Sequence, residues 1–413
     1  MRLAFAVLFV AVCMSPLSAQ EWTRFRGPNG SGVSQATIPG KWDADDYNWK
    51  IDLPGVGHGS PVVWKDRIYL LSADPKSGTR YVLCINAADG KKVWTKEYTG
   101  VPHHLHALNS YASCTPAVDE DGVYVAWSDP DHTVMKAIGH DSHEKWSVDM
   151  GPWVSQHGFG TSPMIIDDLV IITKSQEDPK RPDGGKPGES FMLAVDRKTG
   201  DKKWQTKRVT DTTSYSVPAI RELPGGKKEL ISCSTGEGIF ALDPQTGNQK
   251  WALPVFTMRT VSSPQLVGDL VIGTTGSGGG GNYVVAIKPG EKPEEVYRIK
   301  TQAPYVPTPV IKGDLMFLWF EGGIVTCVDV KTGEKHWQQR IGGKFWGSPV
   351  IAGDKVYNIS DAGEVVVLAA DKTFKEFGRM QLGEGTHSTP AVSGGRMYLR
   401  TYSKLFSLGG KSA

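Results

Sequence analysis

The sequence predicts an all-β protein: an eight-bladed β-propeller of four-stranded antiparallel blades, with the ring closed by an N-terminal strand in the last blade. Three observations predict it. A short phrase running from an apolar pair through an acid and a glycine turn to a tryptophan recurs along the chain. A strand start ending in proline, usually Ser-Pro or Thr-Pro, recurs eight times upstream of such phrases. The last unit lacks its fourth strand, and a strand of the missing kind stands near the N-terminus. Self-similarity over tens of residues marks a repeat architecture, and four short strands per unit at this period point to propeller blades.

The phrase reads AVDRKTGDKKW at 194–204, ALDPQTGNQKW at 241–251 and CVDVKTGEKHW at 327–337. CINAADGKKVW at 84–94 keeps the frame with Asn86 in place of the acid, and AIGHDSHEKW at 137–146 is one residue shorter. LAADKTFKEF at 368–377 reads as a decayed copy ending in Phe377. The apolar pair fits the end of a half-buried strand. The Asp or Asn side chain accepts hydrogen bonds from N–H groups two residues on and starts a turn. The glycine takes the positive φ that a tight strand reversal requires. The Trp then lies on the buried side of the returning strand. Each phrase is expected to be a hairpin with an aromatic anchor, and to carry no chemistry.

The strand starts carry Pro61, Pro116, Pro163, Pro218, Pro264, Pro309, Pro349 and Pro390, spaced 55, 47, 55, 46, 45, 40 and 41 residues apart. Each opens two apolar runs around a turn, as in SPVVWKDRIYLLS from Ser60. Proline is tolerated at the first residue of a strand because the ladder loses little there. After Pro390 the eighth unit ends without a Trp, whereas YNWKIDLPG at 47–55 reads like the last strand of a blade with Trp49 in the docking position. Closing the ring with that strand removes an open seam. The expected organisation is a signal peptide at 1–19, an N-terminal extension at 20–44, the propeller at 45–408 and a tail at 409–413.

The 413 residues are 39% hydrophobic and 22% charged, an ordinary globular balance, and the net charge of +2 implies neither nucleic acid nor an anionic membrane surface as partner. MRLAFAVLFVAVCMSPLSAQ has the parts of a signal peptide: Arg2, an apolar run over 3–12, and small residues ending at Ala19. Export to the periplasm or the extracellular space is therefore expected. A lipid anchor on Cys13 is disfavoured, because Val12 stands where such sites want a small residue. No other segment is apolar for long enough to span a membrane. Cys84, Cys114, Cys233 and Cys327 are expected to be buried, unpaired thiols. Cys84 and Cys327 occupy the small buried position that Ala194 and Ala241 fill in sister units, and no CxxC motif is present to hold zinc. A monomer is expected.

In their Trp phrases, their strand starts and their number of units, residues 45–408 resemble the pyrroloquinoline-quinone-like propeller repeats, and EWTRFRGPNGSGVS at 21–34 is similar to the head of many exported bacterial proteins of this type. The resemblance implies one of two branches. One comprises the quinone-dependent dehydrogenases. The other comprises non-catalytic propellers, among them the lipoprotein subunit of the outer-membrane β-barrel assembly machinery. For the dehydrogenases the resemblance implies a quinone held over a vicinal Cys-Cys disulfide, with a Trp beneath it and Ca2+ bound through Glu, Asn and Asp. This chain has no adjacent cysteine pair, is shorter than those enzymes, and offers no calcium triad that can be mapped onto it. Neither pyrroloquinoline quinone nor Ca2+ is expected, and the non-catalytic branch is the nearer one. Fold alone does not decide function.

In a propeller, the residues just ahead of each innermost strand converge on the channel mouth. Counting three back from each repeat proline gives His58, Ser113, Gly160, Tyr215, Val261, Val306, Trp346 and His387. Phe159, Tyr305 and Phe345 stand one residue earlier, and His157 is close by. The candidate ligand-binding residues are His58, Ser113, His157, Phe159, Tyr215, Tyr305, Trp346 and His387, since an aromatic-walled, His-lined mouth suits a small molecule or a peptide. The competing reading is that the aromatics plug the channel while Ser, Thr and Gly only satisfy turns. His103, His104 and His106 in VPHHLHALNSY have a spacing that could ligate a metal. No acid or cysteine is adjacent to them, and solvated loop histidines are the default.

GTTGSGGGGNY at 273–283 lacks both the Lys-Ser/Thr of a phosphate loop and a following helix, and KSQEDPKRPDGGKPGES at 174–190 reads as a polar loop of blade 3. No GxSxG or HExxH motif occurs. The expected function is that of a binding or scaffold module recognising a protein or a small ligand in the cell envelope. The alternative is a quinone-dependent oxidoreductase, or another propeller enzyme, with its site at the channel mouth.

Overall fold

The computed structural model describes residues 21–177, 189–210 and 212–410. The signal peptide, Cys13, most of the 174–190 insertion and the last three residues of the tail lie outside the described residues.

The eight units form eight sheets around one axis, each a four-stranded meander. Blade 1 sets the pattern with Val62–Trp64, Arg67–Ala73, Arg80–Asn86 and Lys92–Tyr98, from the axis outward. The short strand after each repeat proline is the innermost one, and most successive innermost strands touch. The second strand of blade 1 is buried along nearly its whole length, whereas the fourth is exposed or half-buried throughout. A middle strand has a neighbouring blade on both faces, so it reads as a continuous apolar run rather than an alternating one. Ring closure is as the sequence predicts. Tyr47–Asp52 pairs antiparallel with Lys404–Gly409, and Trp49 lies opposite Ser407. The four cysteines described are buried and free. Among the described residues no helix is long and apolar enough to cross a membrane.

The Trp phrase is a joint between blades. Trp204 pairs with Ala194 across a bulge within blade 3, while Asp196 Oδ1 accepts the N–H groups of Lys198 and Thr199 and shapes the turn. That turn sits on the tryptophan of the preceding blade. Gly200 has φ +79°, and a Cβ there would lie 2.9 Å from the Trp146 ring. The Trp146 indole N–H donates to the Arg197 carbonyl at 3.0 Å. The same bond runs from Trp94 to His140, from Trp204 to Pro244, from Trp337 to Asp371, and across the closing seam from Trp49 to Ala87.

Three blades depart from the pattern. In blade 5 the slot holds Tyr297, whose hydroxyl donates to Val330 O at 2.7 Å. In blade 4 the Trp251 indole turns back to Glu229 of its own blade. In blade 7 the slot opposite Val367 is Gly378, and Phe377 falls on the bulge one residue before it. Phe377 is therefore not the anchor that its phrase suggests. The reason is a competing occupant: Gly40 and Lys41 of the N-terminal segment fill the space, and a Cβ on Gly378 would lie 3.2 Å from Gly40 O.

The N-terminal segment is part of the ring. Trp22, Ile38 and Trp42 are buried in the core shared by blades 1, 7 and 8. Val33–Ser34 adds a parallel strand to the inner edge of blade 7, and Tyr357 donates its hydroxyl proton to Ile38 O at 2.8 Å.

Candidate functional site

The ring encloses an axial cavity of about 730 Å3. All eight residues counted three back from the repeat prolines line it, together with His157 and Tyr305. Of the three aromatics one residue earlier, Tyr305 faces the cavity, whereas Phe159 and Phe345 turn away from it. Phe159 is buried edge-on against Trp153, with centroids 4.9 Å apart, and Phe345 packs the same way on Trp319 at 5.3 Å. Both belong to the core between blades.

The N-terminal segment closes the far end of the channel. Phe25 forms the floor. On either side of it, Arg24 donates to Pro218 O at 2.6 Å, and Arg26 donates to Pro349 O at 2.7 Å and Pro309 O at 2.9 Å. Trp22 bridges to Val63, Thr23 accepts from Val118, and Asn29 exchanges two hydrogen bonds with Ile220. Gly27 permits this path: its φ is +66°, and a Cβ would lie 2.4 Å from the Trp22 ring. The channel is thus a cup with one mouth.

Just above the floor, the residues preceding the repeat prolines form a girdle. The backbone N–H of Ser60 donates to Thr115 Oγ1, Thr115 to Ser162 Oγ, Val217 to Ser263 Oγ and Ser263 to Thr308 Oγ1. Thr308 donates to Ser348 Oγ, Ser348 to Thr389 Oγ1, and Thr389 to Ser60 Oγ across the closing seam. The joint between blades 3 and 4 has no such bond because Val217 offers no oxygen. Val217 instead belongs to the apolar cluster against which Phe25 packs.

The mouth carries two histidine pairs. His58 and His387 lie 4.5 Å apart by ring centroid, and Tyr402 Oη is 3.2 Å from His387 Nε2. Burial, with the neighbouring His387 and Arg400 adding to it, pushes His58 down to about 3. Burial also lowers His387, while the Leu108 carbonyl opposes the shift at both rings. His157 packs against His106 at a tilt of 41°, with centroids 4.2 Å apart. Burial first, then Arg259 and His106, push His157 down to about 4. The Arg259 guanidinium bridges His157 Nδ1 and the Glu177 carboxylate. At neutral pH the His58, His387 and His157 imidazoles are uncharged, and the Arg259–Glu177 pair cancels.

The histidine-rich loop forms one lip of the mouth, but its three histidines diverge. His103 stacks on Tyr111 at 4.8 Å, His104 is exposed, and His106 faces the cavity. Among the described residues, the one group of three His, Cys, Asp or Glu with ligating atoms close together is Asp119, Glu120 and Asp121. There Arg197 already pairs with Asp119 and Glu120, each at 2.8 Å. Sequence reasoning missed Arg259, Glu177, Leu108 and Phe25. Arg259 stands only two residues ahead of Val261 and could have been found by reading further upstream. Phe25 gave no local signal.

Eight meander blades around a blind axial cup define the class: a pyrroloquinoline-quinone-like propeller. The chain belongs to the family described as outer membrane protein assembly factor BamB, whose pattern matches residues 33–186, 80–318, 292–375 and 321–408. It is similar to the tetrathionate hydrolase of Acidithiobacillus ferrooxidans, 26% identical over 235 residues, which are 54% of this chain and 42% of that protein. The chain thus spans less than half the length of this curated relative. Among solved structures, a europium-containing methanol dehydrogenase matches with a TM-score of 0.68 and 12% identity over 93% of this chain and 90% of that one. BamB from Moraxella catarrhalis matches with a TM-score of 0.61 and 15% identity, over 87% and 98% of the two chains. The quinohemoprotein alcohol dehydrogenase of Comamonas testosteroni reaches 0.51 and 15%, over 95% and 81%. At these identities the likeness is one of fold.

Proposed function

We propose that this protein is an exported, non-catalytic recognition module that takes a small ligand, or a loop of a partner protein, into the mouth of its axial cup. The observation that carries the reading is the convergence of one residue from each of the eight blades on a cavity of about 730 Å3 whose far end is shut by Phe25. A concave site with aromatic walls and a few polar groups is the form that ligand pockets take. Membership of a family described as an outer membrane protein assembly factor supports a role in the cell envelope.

The dehydrogenase neighbours make quinone chemistry the reading to beat. The donor set argues against it. A quinone with its cation calls for a vicinal disulfide and a Glu, Asn and Asp set. The described cysteines are four separate, buried thiols. Of the carboxylates beside the cavity, Glu177 is engaged by Arg259 and by the N–H of Gln156, and Glu321 by the N–H groups of Tyr305 and Val306. The residues present do not fit that group, and no step is routed through it. Purified protein incubated with pyrroloquinoline quinone and Ca2+ is expected to show no dye reduction with alcohols or aldoses. Saturable, stoichiometric quinone binding with turnover would overturn the reading. In parallel, binding of small molecules followed by thermal shift is expected to be lost in Trp346→Ala, which removes a wall of the cup.

A further inference from the structure

Resting on the reading of the cup as a recognition site, we infer that its ligand carries an oxyanion, a carboxylate or a sulfonate, that seats on the hydroxyl ring above Phe25. Two independent features of the floor lead there.

The first is a set of unused donors. Each of the seven girdle hydroxyls accepts an N–H from the neighbouring blade, and among the described residues none of them donates its own proton to a protein oxygen; Ser162 alone has a second partner, the Cys114 sulfur. All seven residues are at least nine-tenths buried, and all but Ser263 line the cavity. A buried O–H without an acceptor is costly, so the ring is built to be completed by acceptor atoms on the axis.

The second is charge. Arg24 and Arg26 are buried directly beneath the ring, on carbonyls of the prolines that follow its members. Neither has a carboxylate within ion-pair distance among the described residues. Arg400 is fully buried behind the wall, against Gly57, with Nη1 on Gly59 O at 2.6 Å and Nη2 without a partner. Its nearest acid, Glu384, is taken up by Thr401 and Ser403. Burial lowers Arg24 to about 10 and both Arg26 and Arg400 to about 9, so all three stay charged at neutral pH while poorly solvated. Among the described residues no Asp or Glu lines the cavity, and Glu321 behind its wall is taken up by the N–H groups of Tyr305 and Val306. A low-dielectric cup with two cations beneath its floor, a third behind its wall and no carboxylate among its described lining residues carries a positive potential on the axis. Water could satisfy the hydroxyls, but it leaves this charge uncompensated, whereas an oxyanion answers both. The walls of Trp346, Tyr215 and Tyr305 suit an apolar or aromatic body on that head group.

Calorimetric titration of the purified protein in dilute Tris chloride tests this with three probes: naphthalene-2-sulfonate, naphthalene-2-carboxylate and the neutral naphthalene-2-sulfonamide. At least one anion is expected to bind about 10-fold or more tightly than the sulfonamide, as charge-assisted bonds outweigh neutral ones, and the ratio of the two anions names the head group. The triple variant Thr115→Val, Thr308→Val, Thr389→Val is expected to lose that preference while still binding the sulfonamide. Valine already stands in the ring at position 217. Equal binding of anion and sulfonamide, or a preference unchanged in the triple variant, overturns the inference and leaves the recognition reading standing. Binding of none of the probes also overturns it, and the recognition reading is then decided by its own test. Should the triple variant fail to fold, Val217→Thr decides: it adds a hydroxyl and is expected to tighten the anion alone, and no change would sink the idea.

Discussion

The propeller is held by two hoops of different chemistry. At the outer radius the joint is a tryptophan of one blade under the glycine turn of the next, with an indole N–H on a backbone carbonyl. At the inner radius it is a backbone N–H on the hydroxyl of the next blade. The outer joint is complete in itself, with its polar atom satisfied and its apolar area buried. The inner joint spends the acceptor side of each hydroxyl and leaves most of their protons to the cavity. The louder signal in the sequence is therefore the structural one, while six of the quieter Ser/Thr residues before the repeat prolines face the site. The hoops also fail at different places. The inner one is open between blades 3 and 4, at Val217, and the outer one lacks its usual bond after blades 4 and 7.

The largest expected effect tests the outer hoop. Trp204 is 8% exposed, and Trp204→Ala should cost about 3–5 kcal/mol in urea unfolding, the loss typical of a large buried aromatic. A cost below about 1 kcal/mol would mean that the ring does not dock. Gly200→Ala should cost about 2–3 kcal/mol, because it adds a clash with Trp146 to the strain of positive φ. Gly313→Ala, also at positive φ but in open space, should cost only about 1 kcal/mol. Equal costs at the two glycines would remove the close approach from the argument.

The mouth should make itself felt through pH. His58 has a folded pKa of about 3, below the unfolded value of about 6.5. The unfolded chain then binds more protons between those values, so this contribution is whole above about pH 6.5 and is lost as pH falls toward 3. Stability should drop by about 1–2 kcal/mol between pH 6.5 and 5, and His58→Gln should flatten that slope. An unaltered slope in the variant would place the titration elsewhere. The inner hoop should give the smallest effects. Thr389→Val leaves the Ser348 N–H without its acceptor and should cost about 1 kcal/mol. Val217→Thr should gain less than about 1 kcal/mol if the new hydroxyl reaches the Ser162 N–H.

Much of the fold was legible because each blade repeats a local pattern. The positions of proline, glycine and Trp mark strand starts, turns and anchors, and Trp49 marked the closing strand. The anchor of blade 5 was missed because Tyr297 replaces the Trp and its turn lacks the usual Thr-Gly. Phe377 misled because a one-residue bulge decides which residue faces inward, and the spacing of a decayed phrase does not reveal the bulge. At the mouth the fixed offset from each proline found a wall residue in every blade, since each inner strand has the same relation to the axis. The position one residue earlier was no such guide: Phe159 there turns into the core, whereas Tyr305 lines the cavity.

The sequence by itself determined the number of blades, the closing strand and the positions that surround the axis, because these follow from short-range patterns copied eight times. Only the tertiary structure decided that the channel is blind. That outcome rests on contacts such as Arg26 with Pro349, 323 residues apart, made once and encoded in no repeat. The same structure set the two arginines beneath a ring of hydroxyls, a pairing of distant segments whose consequence is the electrostatic character of the cup.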